Sequence, residues 1–173
     1  MKEALQIFNE MKESGIIKDY AIGGAIAAAR YIEAVTTEDL DIWILMESDS
    51  LIADLNPLYS FLRSKGYHQF QGEGVMIGPW PVQFLLPPSP LVAESIVQAE
   101  DTEFEGVKTR VLKAEYVVAI SLETGRHKDF IRINGFLDEK AVDPQSLQLL
   151  IGQHNLTQYW EKFLLRSGRI GHE

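Results

Sequence analysis

An α/β fold is the architecture that three features of this 173-residue chain predict. The first is an amphipathic stretch from Lys2 to Ser14, in which Leu5, Phe8 and Met11 or Ile7 share one helical face until Gly15 stops the run. The second is the alternation in Asp39-Leu40-Asp41-Ile42-Trp43-Ile44. A strand there turns Leu40, Ile42, Ile44 and Met46 toward a core and Asp39, Asp41 and Trp43 toward the opposite face. The third is the order of parts around it: apolar Tyr20-Ala21-Ile22, the pair Gly23-Gly24, an alanine-rich helix from Ala25 to Glu33, and then the acidic strand.

The later elements follow from the same rules. Asp49-Ser50 is an expected cap for a helix carrying Leu51, Leu55, Leu58, Tyr59 and Leu62, kinked or restarted at Pro57 and ended by Lys65-Gly66. Glycines at 72 and 74 and Pro79 punctuate Val75-Met76-Ile77 and Val82-Gln83-Phe84-Leu85-Leu86, which read as a hairpin. Pro87-Pro88-Ser89-Pro90 breaks the sheet before a helix at about Leu91 to Gln98, and a second hairpin turns at Glu105-Gly106 and returns along Val107 to Leu112. From Glu115 onward the chain reads as several helices. In the last, Tyr159, Trp160, Phe163, Leu164 and Leu165 are expected to face the core after a cap at Asn155 or Thr157. The expected division is an α/β part over 1–113 and a helical region over 114–173 packed on the same domain.

With 46% hydrophobic residues the chain can bury a proper core. It has no cysteine, which excludes disulfides and thiolate metal sites and suits a reducing cytosol, the expected location. The N-terminal segment lacks the apolar centre of a signal peptide and no long apolar run follows, so no membrane is expected as a partner. A formal net charge of −9 repels phosphate at long range and argues against broad DNA binding. A phosphate ligand therefore needs a metal or a local basic cluster, for which Arg126 and Lys128 are the candidates. The histidines at 68, 127, 154 and 172 have no zinc spacing. Gly72-Glu73-Gly74 lacks the context of a dinucleotide fingerprint, and neither a Walker loop nor a Gly-x-Ser-x-Gly elbow is present.

What remains is Asp39 and Asp41. Two carboxylates on one pleat stand about 6–7 Å apart and can lean onto one hard cation, Mg²⁺ or Mn²⁺. Gly23-Gly24 allows a tight turn, and the first amides of the following helix form an anion site suited to phosphate. Either motif alone reads as an ordinary turn or a solvated strand end. Together, in this order, they describe a site for a metal-bound polyphosphate.

Gly23-Gly24 followed by Asp39-Leu40-Asp41 resembles the nucleotidyltransferase superfamily, the polymerase-beta-like fold. Thr37-Glu38-Asp39-Leu40-Asp41-Ile42 and Lys128-Asp129 are similar to AbiEii-type toxins and small related nucleotidyltransferases. The chain departs from that subgroup at Val35, where its members carry arginine, and at Ser121, where they carry lysine. Gln83, in Pro81-Val82-Gln83-Phe84-Leu85, stands where the superfamily has its third carboxylate. The resemblance implies a small, mixed, twisted sheet flanked by helices with a helical C-terminal part. It further implies magnesium-dependent transfer of a nucleoside monophosphate from a nucleoside triphosphate to a hydroxyl on a protein, an RNA end or a small molecule. Asp39 and Asp41 would be catalytic and metal-holding; Gly23, Gly24, Thr37, Arg126 and Lys128 would bind the nucleotide and its phosphates. Glutamine is neither a base nor a strong magnesium ligand, so chemistry would be slow or absent unless Glu73 or another nearby acid substitutes. Two other readings are a degenerate nucleotide-binding or interaction module, for example one side of a toxin-antitoxin pair with a partner protein, and a structural domain without a ligand.

Overall fold

Helix α1 (Lys2–Glu13) buries Leu5, Ile7, Phe8 and Met11 and ends at Ser14, with Gly15 at φ +71° beyond it. In this computed structural model, which describes residues 1–33, 37–47 and 54–169, it leads into strand β1 (Asp19–Ile22) and the short helix α2 (Gly24–Ala28). Strand β2 (Leu40–Leu45), helix α3 (Asn56–Ser64), and strands β3 (Phe70–Gln71), β4 (Gly74–Ile77) and β5 (Trp80–Leu85) follow. Helix α4 (Pro90–Val97) and the hairpin of β6 (Glu100–Phe104) and β7 (Val107–Val111) complete the α/β part. The remainder is helical: α5 (Ala114–Thr124), α6 (His127–Asp138), α7 (Pro144–Gln153) and α8 (Thr157–Arg166).

The strands form one seven-stranded mixed sheet in the order β3-β4-β5-β2-β1-β7-β6. Its centre pairs β2 antiparallel to β1 and parallel to β5, while β1 runs parallel to β7. Leu40, Ile42 and Ile44 are fully buried, and their alternates on β2 are not. The apolar face is covered by α1 and α4. Phe8 packs edge-on against Tyr20 of β1 at 5.5 Å and Phe84 of β5 at 5.8 Å, pinning α1 across the sheet centre. Arg110 of β7 anchors the end of α4, donating to the carbonyls of Ile96 at 3.0 Å, Val97 at 3.2 Å and Ala99 at 3.0 Å while pairing with Asp19. One end of the sheet is β6, whose exposed Glu100, Asp101 and Glu103 lie along its length.

Several expected elements differ in detail. The alanine-rich helix reaches only Ala28. Beyond it the amides of Arg30 and Tyr31 reach back three residues, to Ala27 and Ala28, and the Tyr31 hydroxyl is drawn to the Leu112 carbonyl at 3.0 Å, so tertiary contacts end the helix before propensity does. Pro57 starts α3 within its first turn, where its missing N–H costs nothing. The expected cap at Asp49-Ser50 and the start at Leu51 lie outside the described residues. Helix α8 is preceded by Leu156 without a side-chain cap; Asn155 takes a positive φ of 57° and Thr157 is already helical. Only Phe163 of its apolar residues is buried, and Tyr159 is 51% exposed. Among the described residues no helix is long and apolar enough to cross a membrane.

Because Phe8 joins α1 to β1 and β5 in the core, Phe8→Ala is expected to lower unfolding free energy by about 3–5 kcal/mol. Urea unfolding followed by circular dichroism measures it; a loss below about 1 kcal/mol would show that the helix is held by other contacts.

Candidate active site

The face of β2 and β5 that carries Asp41, Trp43, Gln83 and Leu85 forms one wall of a cleft of about 850 Å³. Register sets what stands there. Asp41 of β2 lies beside Gln83 of β5, and Trp43 beside Leu85. All four are half-buried and line the cleft, and Asp39, one residue before β2, lies exposed at its mouth. The opposite wall comes from α5, through Val117, Ile120, Ser121 and Thr124, and from α6. Spacing of three, four and seven residues is what places those α5 side chains on one helical face.

The diglycine turn serves this wall directly. A β-carbon on Gly24 would lie 1.9 Å from Asp41 Oδ2, and one on Gly23 would lie 2.5 Å from both Cδ1 and Nε1 of the Trp43 indole. Each glycine thus vacates the space that one cleft-facing side chain of β2 occupies. Gly24 also sits at φ +59°, the left-handed region that costs other residues about 1–2 kcal/mol. The turn is locked to the strand by the Gly23 amide, which donates to the Asp41 carbonyl at 2.9 Å.

Burial is the largest influence on Asp41 and raises its pKa above the usual carboxylate value; the Asp39 charge raises it further, and Lys128, Arg132 and Arg126 pull it back. Gln83 Nε2 stands 3.5 Å from Asp39 Oδ2, a weak contact at the limit of hydrogen bonding. Among the described residues no group of three or more carboxylate or histidine side chains is gathered to hold a metal. Along β2 and β5 the donors are the two aspartates and the Gln83 carbonyl oxygen, a hard, all-oxygen set of the kind magnesium and manganese accept.

The facing cations are organised by Asp129, which is 1% exposed. Arg126 grips it with Nε 2.7 Å from Oδ2 and Nη2 3.1 Å from Oδ1, and Arg132 Nη1 donates to the same Oδ1 at 3.2 Å. Hydrogen bonding to Asp129 raises the Arg126 pKa, and burial lowers that of Arg132. Lys128 lines the cleft without an ion pair among the described residues.

Of the residues singled out from the sequence, Gly24, Thr37, Asp39, Asp41, Arg126 and Lys128 line this one cleft. Gly23 lies behind it with its amide already committed to Asp41. Thr37 folds back on the chain, its hydroxyl donating to the Asp39 carbonyl at 3.1 Å and accepting the Asp39 amide at 3.3 Å, so it shapes the approach to Asp39. Glu73 also lines the cleft. Arg132 and Trp43 are cleft residues to which the sequence reading gave no ligand role. For Arg132 the signal was its spacing, three residues beyond Asp129, which makes the two neighbours on the helix surface.

Protein-family models give no match to the chain, and curated protein sequences give none either. Solved structures match over nearly its whole length. An antigenic nucleotidyltransferase-like protein from Paracoccidioides brasiliensis superposes with a TM-score of 0.53 at 19% identity, covering 91% of this chain and 88% of that one. ANT(2'')-Ia in complex with adenylyl-2''-tobramycin gives 0.51 at 12% identity, covering 92% and 97%. The solution structure of ANT(2'')-Ia, an antibiotic-resistance factor, gives 0.51 at 14% identity, covering 92% and 94%. The chain therefore has a nucleotidyltransferase-like fold.

The raised pKa of Asp41 links the site to stability. The folded chain holds this proton to a higher pH than the unfolded chain does, so ionising Asp41 opposes folding at neutral pH, and the penalty disappears as pH falls below the folded pKa. Asp41→Asn is expected to melt higher than wild type at pH 7, with the gain shrinking toward about pH 4. Thermal melts across that range test this; a variant less stable than wild type at pH 7 contradicts it.

Proposed function

We propose that this protein is a magnesium-dependent nucleotidyltransferase that moves a nucleoside monophosphate from a nucleoside triphosphate to a hydroxyl acceptor on a protein, an RNA end or a small molecule. The observation that carries the reading is the meeting of Asp39 and Asp41 with the cations of α6 across one cleft, in a fold shared with nucleotidyltransferase-like proteins. The ANT(2'')-Ia complex holds an adenylylated small molecule, the type of product this reaction yields.

Asp39 and Asp41 would hold the cation, whose chemistry there would be to neutralise charge on the polyphosphate and on departing pyrophosphate. Lys128 pairs with the phosphate tail, and Arg126 and Arg132, aligned by Asp129, present the adjoining positive surface. Gly24 keeps the Asp41 carboxylate in place. In the transfer, the acceptor oxygen bonds to the α-phosphorus, the α–β anhydride bond breaks and pyrophosphate leaves. The hydroxyl proton goes to solvent, because the Gln83 amide has no basic atom to take it.

That last feature favours a second reading, a nucleotide-binding or interaction module with its chemistry lost, such as one partner of a toxin-antitoxin pair. Incubation with magnesium and each α-labelled triphosphate, followed by a search for label on protein, RNA and small acceptors, separates the two. Metal-dependent transfer that falls at least about 10²-fold in Asp39→Asn/Asp41→Asn is expected. Equal labelling by the double variant rules out the enzyme reading, and magnesium-dependent binding without turnover favours the degenerate one.

Gln83→Asp places a carboxylate beside Asp41 in the parallel register. It is expected to raise turnover by about 10²-fold, the usual lower range for a positioned general base. Unchanged turnover with intact triphosphate binding would show that this position does not limit the reaction.

A further inference from the structure

We infer that α8 is a detachable brace on α6 whose seating is coupled to occupation of the cleft; the inference adds a conformational control to the proposed function and rests on its polyphosphate reading. Helix α6 serves two neighbours with two stripes of side chains. Lys128, Ile131, Arg132, Gly135 and Glu139 line the cleft. Phe130, Asn134 and Asp138, four residues apart on the helix surface, form the second stripe, and each of them meets a side chain from residues 163–169.

The contacts run in step along both segments. The Phe163 ring lies 5.1 Å from that of Phe130, and the Arg166 guanidinium sits 5.0 Å from the centre of the same ring. Gly168, at φ +69°, then closes α8: its amide donates to the Leu165 carbonyl at 3.2 Å, and the Arg169 amide donates to that of Leu164 at 3.0 Å. This turn carries the Arg169 side chain to α6. There Nε and Nη2 each donate to Asn134 Oδ1 at 3.2 Å, and the guanidinium pairs with Asp138. Outside this seam α8 is lightly held. It touches α5 and α7 as well, yet Phe163 is its only buried residue, with Trp160 stacked on it at 5.5 Å, and no side chain caps its start. An element secured by one buried side chain opens at a smaller free-energy cost than the domain as a whole.

Coupling follows because α6 is shared. A polyphosphate that bonds to the cleft cations Lys128, Arg126 and Arg132 restrains α6 along one stripe, and α8 restrains the same helix along the other. Whichever arrives second finds α6 already ordered and gives up less conformational entropy, so each strengthens the other. The effect is reciprocal: release of α8 weakens polyphosphate binding by the factor by which polyphosphate tightens α8.

Hydrogen exchange read by mass spectrometry tests the coupling, with magnesium tripolyphosphate as the probe. Saturation is expected to slow exchange over residues 157–166 and to leave α1, on the other face of the sheet, unchanged. Phe163→Ala releases α8 and is expected to weaken tripolyphosphate by about 5-fold, the lower end of coupling between linked sites, while a cooperative melt persists. Asn134→Ala removes the Arg169 acceptor without altering charge and is expected to weaken binding in the same direction by a smaller factor. Tripolyphosphate that stabilises the protein while α8 exchange and the affinities of both variants stay at the values of the unaltered chain overturns the brace and leaves the polyphosphate reading intact. A Phe163→Ala chain without a cooperative melt overturns the brace too, because α8 is then an integral part of the core. Tripolyphosphate that neither binds nor stabilises the unaltered chain overturns the polyphosphate reading, and the coupling with it.

Discussion

Two missing methyl groups control this structure's working face. At Gly23 and Gly24 the chain passes so close to β2 that any side chain would collide with Trp43 or Asp41, and the turn is tied to that strand through the Asp41 carbonyl. The carboxylate and the indole are consequently held by backbone on one side and by β5 on the other. The core explains why that precision survives: Leu40, Ile42 and Ile44 alternate with the site residues on the same strand and are fully buried. A register slip of one residue would send aspartate into the core and isoleucine into the cleft, so the hydrophobic effect enforces the site's geometry without touching a ligand.

An acidic protein has to attract anions locally. In the cleft a buried carboxylate, Asp129, fixes Arg126 and Arg132 beside Lys128. Enclosing Asp129 costs solvation, and hydrogen bonds from both arginines offset that cost. The gain is orientation: guanidinium groups that would otherwise sample many rotamers are directed by one fixed anchor. Their field already reaches Asp41, since both arginines and Lys128 oppose the upward shift that burial gives its pKa.

The parts legible in the sequence were those governed by short-range rules. Alternation revealed β2 and its two faces, glycine and proline marked both hairpins, and the motif pair Gly23-Gly24 and Asp39-x-Asp41 identified the carboxylates that the fold brings to the cleft. Long-range contacts were less legible. The end of α2 is set by Tyr31 bonding to Leu112, some eighty residues away. The diglycine was read as room for a ligand, yet its vacated space holds the protein's own Asp41 and Trp43. Arg132 escaped notice because its importance comes from sharing Asp129 with Arg126, which is visible only once α6 is wound and packed.

The sheet also ends in an unprotected ribbon. Strand β6 presents its outer backbone groups to solvent, a template on which another extended chain can hydrogen-bond. Exposed Glu100, Asp101 and Glu103 decorate that margin, and only the first two have arginine neighbours. Their mutual repulsion with the same margin of a second molecule keeps ribbons apart at neutral pH. Exposed Phe104 closes the same margin, beside open hydrogen-bonding positions. Resistance to edge-to-edge association thus resides at a border three strands away from β2.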